Sequence, residues 1–169
     1  MPTTLRKQLL HHCFLEAGLK GSHLEEQVEQ AFEHFIAARN DIAFYPETLE
    51  ILNTLKQEFD LIALSNGNAD INRVGLGDYF SAHFSAESTQ KPKPDPAMFL
   101  AALEHANAEP HQAIHIGDHP EEDVNAAQRL GYRTIWFNQN AAKDQNLCKP
   151  DREIHQLNQL VTAIKSLLE

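Results

Sequence analysis

The chain has 169 residues, 42% of them hydrophobic, which is enough to bury one sizeable core but too little for two full-sized domains. Acidic residues outnumber basic ones by 24 to 14, and the formal net charge of −10 argues against nucleic acid or an anionic membrane as the main partner. Only two cysteines are present, far apart and without CxxC spacing, so we expect a reducing, cytoplasmic setting.

The first part of the chain is predicted to form two helices. Apolar residues recur at helical spacing from residue 3 to residue 19, where Gly18 and Gly21 supply a stop. The second helix is predicted to begin at Ser22, whose side chain would form a capping box with Glu25. We therefore expect an antiparallel helical pair over residues 1 to about 40.

Beyond Tyr45 and Pro46, short apolar runs alternate with helical patterns. The predicted strands are residues 61–64, 82–86, 113–116 and 134–137, and the predicted helices are residues 48–55, a segment opened by Asp95 and Pro96, residues 124–130 and residues 154–168. This alternation is typical of an α/β fold in which helices cover both faces of a parallel sheet. The polar stretch 138–151 is predicted to be a mobile loop.

Ser65, Asn66 and Gly67 follow the first predicted strand. Ligands of open parallel sheets collect at the carboxyl ends of the strands. A hydroxyl, an amide and a flexible glycine backbone at this place can hydrogen-bond a phosphoryl oxygen. The alternative is an ordinary strand-to-helix turn, which favours the same residue types.

Acidic residues crowd the end of the predicted strand 113–116. Asp118 follows this strand, and three further acids, the last of them Asp123, lie within the next turn. Crowded carboxylates repel one another unless a cation holds them, and oxygen ligands suit Mg²⁺, so Asp118 and Asp123 are the predicted ligand pair. Acids that merely complement a helix dipole are the alternative, but this does not account for Asp118, which precedes Pro120.

Prolines alternate with charged residues in the segment from Lys91 to Pro96. Proline fixes the backbone, so a lysine here can be presented at a defined point to neutralise phosphate and carboxylate charge. A solvated loop leading into a helix is the alternative. Of the ten histidines, only His119 is expected near the site, whereas His115 is expected to be a core residue bonded to a neighbour.

The order and spacing of these motifs resemble the haloacid dehalogenase-like (HAD) hydrolase superfamily, in its phosphatase branch. The matching residues are Ser65-Asn66-Gly67, Lys93-Pro94-Asp95-Pro96 with Phe99, and Gly117-Asp118 with Asp123. The resemblance runs from about Tyr45 to the C-terminus. It implies a Rossmann-like α/β core over residues 43–169, preceded by a partial helical cap over residues 1–42.

The resemblance also implies a role for each site residue. Ser65 would bind the transferring phosphoryl group, and Asn66 and Gly67 would shape the turn around it. Lys93 would stabilise the negative charge of the phosphoryl group and of the nucleophile. It fits the family spacing better than Lys91 because it lies six residues before the aromatic side chain of the motif.

In the same way, the resemblance implies that Asp118 and Asp123 hold the Mg²⁺ cofactor. The family's first motif, DxDx[TV] after an apolar strand, supplies the nucleophilic aspartate and a second aspartate that acts as general acid and base. No segment here matches it, because Asp41 lacks the second aspartate and Asp60 precedes a predicted strand. The chain alone is therefore expected to be inactive or severely impaired.

In the family, the strand with the first motif lies between the strands that here end at Ser65 and Asp118. Without it, two sheet edges would be unpaired, so we expect poor solubility, self-association or a complementing N-terminal segment.

Three functions remain open at this stage. The first is a truncated phosphatase whose full-length parent hydrolyses a small phosphomonoester through an aspartyl-phosphate. The second is a non-catalytic module that binds phosphate and magnesium. The third is a haloacid dehalogenase, which needs no magnesium and is therefore less favoured by Asp118 and Asp123. The expected partner is a small phosphorylated metabolite, which could be a sugar phosphate, a nucleotide or a cofactor precursor.

Overall fold

The computed structural model describes residues 3–67, 69–140 and 149–169. The chain divides into two compact units, of which the first comprises Met1–Ala43 and Ala69–Gly75 and the second Phe44–Asn68 and Leu76–Glu169. The segment Ala69–Gly75, which the sequence-based division assigns to the α/β core, thus clusters with the helical unit. The assignment of residues 1–42 to a helical cap stays a prediction.

The first unit contains helices α1 (Thr3–Glu16) and α2 (Gly21–Asn40). Lys7 pairs with Glu29 at 2.6 Å and His11 with Glu25 at 3.3 Å. Partner numbers fall along α2 as they rise along α1, so the two helices are antiparallel, and the predicted helical pair is confirmed.

The predicted capping box at the start of α2 is wrong. The helix begins at Gly21, and its N-cap residue is Lys20, which makes no side-chain cap hydrogen bond. Ser22 therefore lies inside the first turn, where its side chain cannot act as an N-cap. The Glu25 carboxylate pairs with His11 of α1 instead.

The second unit is an α/β structure. Its helices are α3 (Thr48–Leu55), α4 (Ala86–Thr89), α5 (Ala97–Ala106), α6 (Ala126–Arg129) and α7 (Leu160–Leu168). Its strands are β1 (Ile62–Ser65), β2 (Ala82–Ser85), β3 (Ile114–Gly117), β4 (Arg133–Phe137) and β5 (Arg152–Ile154). A π-helical turn, Pro120–Asn125, follows β3 and leads into α6. No helix among the described residues is both long and apolar enough to cross a membrane.

All strand pairs are parallel, as the α/β class requires, but they form two sheets. β1 pairs with β2, and β3, β4 and β5 form a second sheet in that order. Within the described residues, β1 and β3 therefore each have one paired edge. The resemblance implied a single sheet that lacks its central strand, whereas the described strands form two sheets; the missing strand itself stays a prediction.

Two of the predicted helices differ from the structure. The closing helix was expected over residues 154–168, but Ile154 belongs to β5, where it lies in register with Phe137 of β4 and is 3% exposed. β5 contains only one apolar residue, so its sequence lacks the apolar pattern that predicts a strand. The helix predicted over residues 124–130 begins inside the π-helical turn. Residues 141–148 of the predicted mobile loop lie outside the described part of the chain.

Helices pack on both faces of the three-stranded sheet. One core cluster joins α3 and α7 to the sheet through Ile51, Leu55, Ile135, Ile154, Leu160, Ala163 and Ile164. The other joins α5 and α6 through Phe99, Leu103, Ala126, Ala127 and Tyr132. This arrangement leaves the carboxyl ends of the strands free for polar side chains.

Candidate active site

A buried ion pair lies at the centre of the candidate site. The Lys93 Nζ atom is 2.5 Å from Asp123 Oδ1, and the two residues are 9% and 4% exposed. His115 Nε2 lies 3.1 Å from the same oxygen, and the backbone N–H of His119 donates to Asp123 Oδ2 at 3.0 Å. Both carboxylate oxygens are thus engaged.

These contacts decide the protonation state of Asp123. Burial alone would raise the pKa of this carboxyl, because desolvation disfavours the charged form. The hydrogen bonds from His115 and Lys93, together with the positive charge of Lys93, outweigh burial and hold the pKa well below its ordinary value. Asp123 is therefore an anion, and it forms an ion pair with the Lys93 side chain.

Asn66 positions the lysine through a reciprocal pair of hydrogen bonds. Its Oδ1 accepts from the Lys93 backbone N–H at 2.6 Å, and its Nδ2 donates to the Lys93 carbonyl at 2.9 Å. The Lys93 Nζ atom also donates to the carbonyl of Leu64 at 3.3 Å. Asn66 thus fixes the backbone of Lys93, and the Leu64 carbonyl in β1 helps to fix its side chain.

The turn at Ser65 has the hydrogen bond of an ordinary turn and also leaves a group that could bind phosphate. The backbone N–H of Gly67 donates to Ser65 Oγ at 2.9 Å, so the hydroxyl oxygen stabilises the turn. The hydroxyl proton takes no part in this bond, and a serine hydroxyl can donate while it accepts. The turn geometry is therefore compatible with binding a phosphoryl oxygen.

Gly117 makes room for Asp123. A Cβ atom at residue 117 would overlap the Cβ, Cγ and Oδ2 atoms of Asp123. The last residue of β3 must therefore lack a side chain if the carboxylate is to reach Lys93. A single methyl group at this place would disturb the ion pair.

The change Gly117→Ala is expected to lower the free energy of unfolding by about 2–3 kcal/mol, because the buried carboxylate has to move away from its partners. Urea denaturation measures this loss. The matched control is Asp118→Ala at the adjacent exposed position, for which we expect a change within about 0.5 kcal/mol. Equal stabilities of Gly117→Ala and the control would show that Asp123 can move at little cost.

Asp118 is exposed and borders a cavity. Its backbone carbonyl accepts a hydrogen bond from Trp136 Nε1 at 3.0 Å, which fixes the chain just beyond β3. The cavity has a volume of about 270 Å³ and is lined by Asp118 together with Tyr45, Pro120, Trp136, Phe137, Asn138, Gln139 and Asn140. The Asp118 carboxylate thus lies where a ligand can reach it.

In the part of the chain that the structure describes, no group of three or more His, Cys, Asp or Glu side chains is placed to hold a metal ion. Mg²⁺ commonly keeps several waters and uses one or two protein carboxylates together with substrate phosphate. The exposed carboxylate of Asp118 fits such a sparse site, whereas both oxygens of Asp123 are bonded within the cluster, so Asp123 as a second ligand stays a prediction.

Sequence reasoning found most of this cluster but missed two members. His115 was expected to be bonded to a neighbour, and the structure identifies that neighbour as Asp123. Alternation along a strand places residue 115 on the same side as Gly117, and this signal could have found the contact. Glu122, whose Oε2 accepts from Asn66 Nδ2 at 2.8 Å, could not be distinguished from the other acids of its turn.

The two lysines differ in the structure, since Lys91 is exposed whereas Lys93 is buried and ion-paired. Neither aspartate considered for the first motif follows a described strand. Asp41 caps the end of α2, and Asp60 precedes β1.

Residues 5–131 match the family model of the haloacid dehalogenase-like hydrolases. The chain belongs to this family. The matched range also includes the helical pair, which carries none of the motifs on which the resemblance depends. The cluster around Lys93 lies within the matched range.

Known HAD-like relatives include phosphatases and a dehalogenase. The 5-amino-6-(5-phospho-D-ribitylamino)uracil phosphatase YigB of Escherichia coli K12 is 31% identical over 80% of this chain. The phosphoserine phosphatase of Thermus thermophilus is 28% identical over 89%. The solved structure of a 2-haloacid dehalogenase from Pseudomonas syringae pv. Tomato DC3000 is 37% identical, with a TM-score of 0.87 over 97% of this chain.

This HAD-like chain is shorter than those relatives. It spans 57% of the length of the E. coli phosphatase, 63% of that of the T. thermophilus phosphatase and 71% of the dehalogenase chain.

Proposed function

We propose that this chain is the phosphate- and magnesium-binding part of a HAD-like phosphatase that acts on a small phosphomonoester in the cytoplasm. The observation that carries the proposal is the convergence of the Ser65–Gly67 turn, Lys93 and Asp123 at the carboxyl ends of β1 and β3. Such a cluster of a hydroxyl, backbone amides and a fixed ammonium suits a dianionic phosphoryl group. The phosphatase relatives support this reaction class.

Each residue has a distinct part in this proposal. The Ser65 hydroxyl and the neighbouring backbone N–H groups bind the phosphoryl oxygens. Lys93, held by Asn66 and Asp123, neutralises charge that develops during phosphoryl transfer. Asp118 and Asp123 would hold Mg²⁺, and Asp123 also pairs with the Lys93 side chain. When bound, Mg²⁺ neutralises phosphate charge and orients the phosphoryl group.

In this proposal the nucleophilic aspartate that forms the aspartyl-phosphate comes from outside these 169 residues. The chain by itself then binds phosphate and Mg²⁺ but turns over little or no substrate. Ligand binding can therefore be measured on the chain alone, separately from catalysis.

Binding of inorganic phosphate measured by calorimetry tests the proposal. We expect phosphate to bind at least about tenfold more tightly with Mg²⁺ present than with EDTA, because the metal neutralises a dianion. Asp118→Asn should abolish this magnesium effect, and Ser65→Ala should weaken phosphate binding under both conditions. Asp95→Asn, in the loop outside the cluster, is the control. Phosphate binding that is indifferent to Mg²⁺ and to Asp118 would contradict the proposal.

The similarity to the dehalogenase from P. syringae, at 37% identity, favours a second candidate function, carbon–halogen hydrolysis. A dehalogenase site needs no metal and binds a 2-substituted carboxylate. Calorimetry with lactate separates the two candidates. Lactate binding that is unaffected by EDTA and competes with phosphate would favour the dehalogenase, whereas magnesium-dependent phosphate binding without lactate binding favours the phosphatase.

A further inference from the structure

Asn66 has a third hydrogen-bond partner besides the two backbone groups of Lys93. A side-chain amide offers one oxygen that accepts and two N–H groups that donate. The Asn66 Oδ1 atom accepts from the Lys93 N–H, and Nδ2 donates both to the Lys93 carbonyl at 2.9 Å and to Glu122 Oε2 at 2.8 Å. Glu122 lies 56 residues further along the chain, in the π-helical turn after β3. The amide that fixes Lys93 is therefore itself fixed by a second element.

The bond to Glu122 matters because Asn66 is exposed to solvent. Water competes for the donor and acceptor groups of an exposed amide. At neutral pH a glutamate carboxylate accepts hydrogen bonds but donates none, so it holds the N–H side of the amide and leaves the oxygen for the Lys93 N–H. Hydrogen bonds to a carboxylate are also stronger than those between neutral groups. Glu122 thus stabilises the orientation of Asn66 that bonds to Lys93.

Glu122 is held in place at its own backbone. Its N–H donates to Nδ1 of His119, the residue that caps the start of the π-helical turn, at 3.1 Å. The neighbouring Glu121 has a different contact, since its carboxylate pairs with Arg129 in α6 at 2.6 Å. Of these two consecutive glutamates, only Glu122 is bonded to Asn66, at the end of β1.

Two consecutive acids of one turn therefore hold Lys93 at two places. Asp123 pairs with the ammonium group at 2.5 Å, and Glu122 acts on the Lys93 backbone through Asn66. π-Helical turns are rare and occur frequently at functional sites. A lysine whose backbone and side chain are both fixed loses little conformational freedom when it meets an anion.

We propose that Glu122 is a positioning residue for the anion site, which acts through Asn66 on the Lys93 backbone and so directs the ammonium group toward the phosphoryl oxygens. The inference rests on the proposed function for the identity of the anion that Lys93 meets. Glu122 itself contacts neither that anion nor the metal. Its negative charge opposes the binding of an anion, so its benefit comes from the hydrogen bond to Asn66.

Phosphate binding to Glu122→Gln and Glu122→Ala separates the hydrogen bond from the charge. Both variants remove the negative charge, but glutamine keeps an oxygen that accepts from Asn66, whereas alanine does not. In calorimetry with inorganic phosphate and Mg²⁺, we expect Glu122→Gln to bind phosphate at least about fivefold more tightly than Glu122→Ala. The matched pair Glu121→Gln and Glu121→Ala should bind phosphate with equal affinity.

The route through Asn66 has a test of its own. In an Asn66→Ala background, Glu122→Gln and Glu122→Ala should bind phosphate equally, because the amide that connects residue 122 to Lys93 is gone. The effect of Mg²⁺ on phosphate affinity should be the same in both Glu122 variants and in wild type. Loss of this magnesium effect in both variants would make Glu122 a metal ligand and would overturn the inference.

Hydrogen exchange reports the positioning of Lys93 without any ligand. The Lys93 backbone N–H, which donates to Asn66 Oδ1, should exchange at least about fivefold faster in Glu122→Ala than in Glu122→Gln. The N–H of Asp95 donates to the Pro92 carbonyl at 3.0 Å in the same loop and should not change. Equal acceleration at Asp95 would mean that the whole loop has loosened, which would contradict a specific action on Lys93.

Calorimetry and hydrogen exchange together keep this inference apart from the proposed function. If wild type binds no phosphate while Lys93 exchange still differs between the Glu122 variants, the proposed function fails and the positioning of Lys93 by Glu122 stands. If phosphate binds with equal affinity to Glu122→Gln and Glu122→Ala, or if the Lys93 N–H exchanges equally in both, the inference is overturned.

Discussion

Replacing Asp123 with Asn is expected to lower the free energy of unfolding at pH 7 by about 3–5 kcal/mol. The change removes one partner of a buried ion pair and leaves the Lys93 ammonium, 9% exposed, without its counter-charge. The shape of the side chain is kept, so the loss reports charge rather than packing. Urea denaturation of the two proteins under identical conditions measures it.

The stability difference should also depend on pH. Hydrogen bonds and the Lys93 charge hold the Asp123 pKa below its unfolded value of about 4. A carboxylate with a lowered folded-state pKa stabilises the fold fully above the unfolded value, and this stabilisation is lost as pH falls through the folded value. The difference in free energy of unfolding between wild type and Asp123→Asn should therefore be constant from pH 7 to 5 and shrink below about pH 4.

Two further variants make this result interpretable. Asp118→Asn, at an exposed acid of the same strand end, should change stability by less than about 0.5 kcal/mol. Adding Lys93→Met to Asp123→Asn removes the unpaired charge and should recover part of the loss. Additive losses in the double variant, or a difference in free energy of unfolding that is as large near pH 2 as at pH 5, would show that the ion pair is not the source of the effect.

The chain by itself is expected to hydrolyse an aryl phosphate at least about 10⁴-fold more slowly than an active relative such as the E. coli phosphatase, even with saturating Mg²⁺. Loss of a nucleophile costs this order of magnitude, and the remaining rate comes from binding groups alone. Release of nitrophenolate measures turnover, and a matched preparation of Asp118→Asn reports any contaminating phosphatase.

The measured turnover distinguishes between three interpretations of the chain's activity. Turnover at background level in both preparations agrees with a site that binds but lacks its nucleophile. Robust turnover that Asp118→Asn abolishes would mean that the described residues contain a nucleophile after all. Robust turnover that survives Asp118→Asn would contradict the magnesium assignment.

The sequence predicted the local structure of the second unit well where apolar patterns are strong. α3 was predicted at its observed bounds, and β1 to β4 within one or two residues. β5 was missed because it has three residues of which two are charged, and only its pairing with β4 identifies it as a strand. The division into two sheets depends on which edges find partners, and no local pattern encodes this.

The candidate site was predictable to the extent that its members follow strands. The Ser65 turn, Lys93, Asp118 and Asp123 stand out from their positions along the sequence. The hydrogen bonds and the ion pair between these residues could not be predicted from the sequence. Asn66 bonds to the Lys93 backbone across 27 residues, and Lys93 pairs with Asp123 across 30. Tertiary structure alone decides that Asp123 serves the lysine rather than facing solvent beside Asp118.

The ion pair also has a mechanical consequence. Asp123 follows β3, whereas Lys93 is fixed by Asn66 at the end of β1. The ion pair therefore links two sheets between which the described strands form no pairing. Because linkage is reciprocal, a ligand that binds more tightly when the Lys93–Asp123 pair is formed also favours formation of that pair by the same factor.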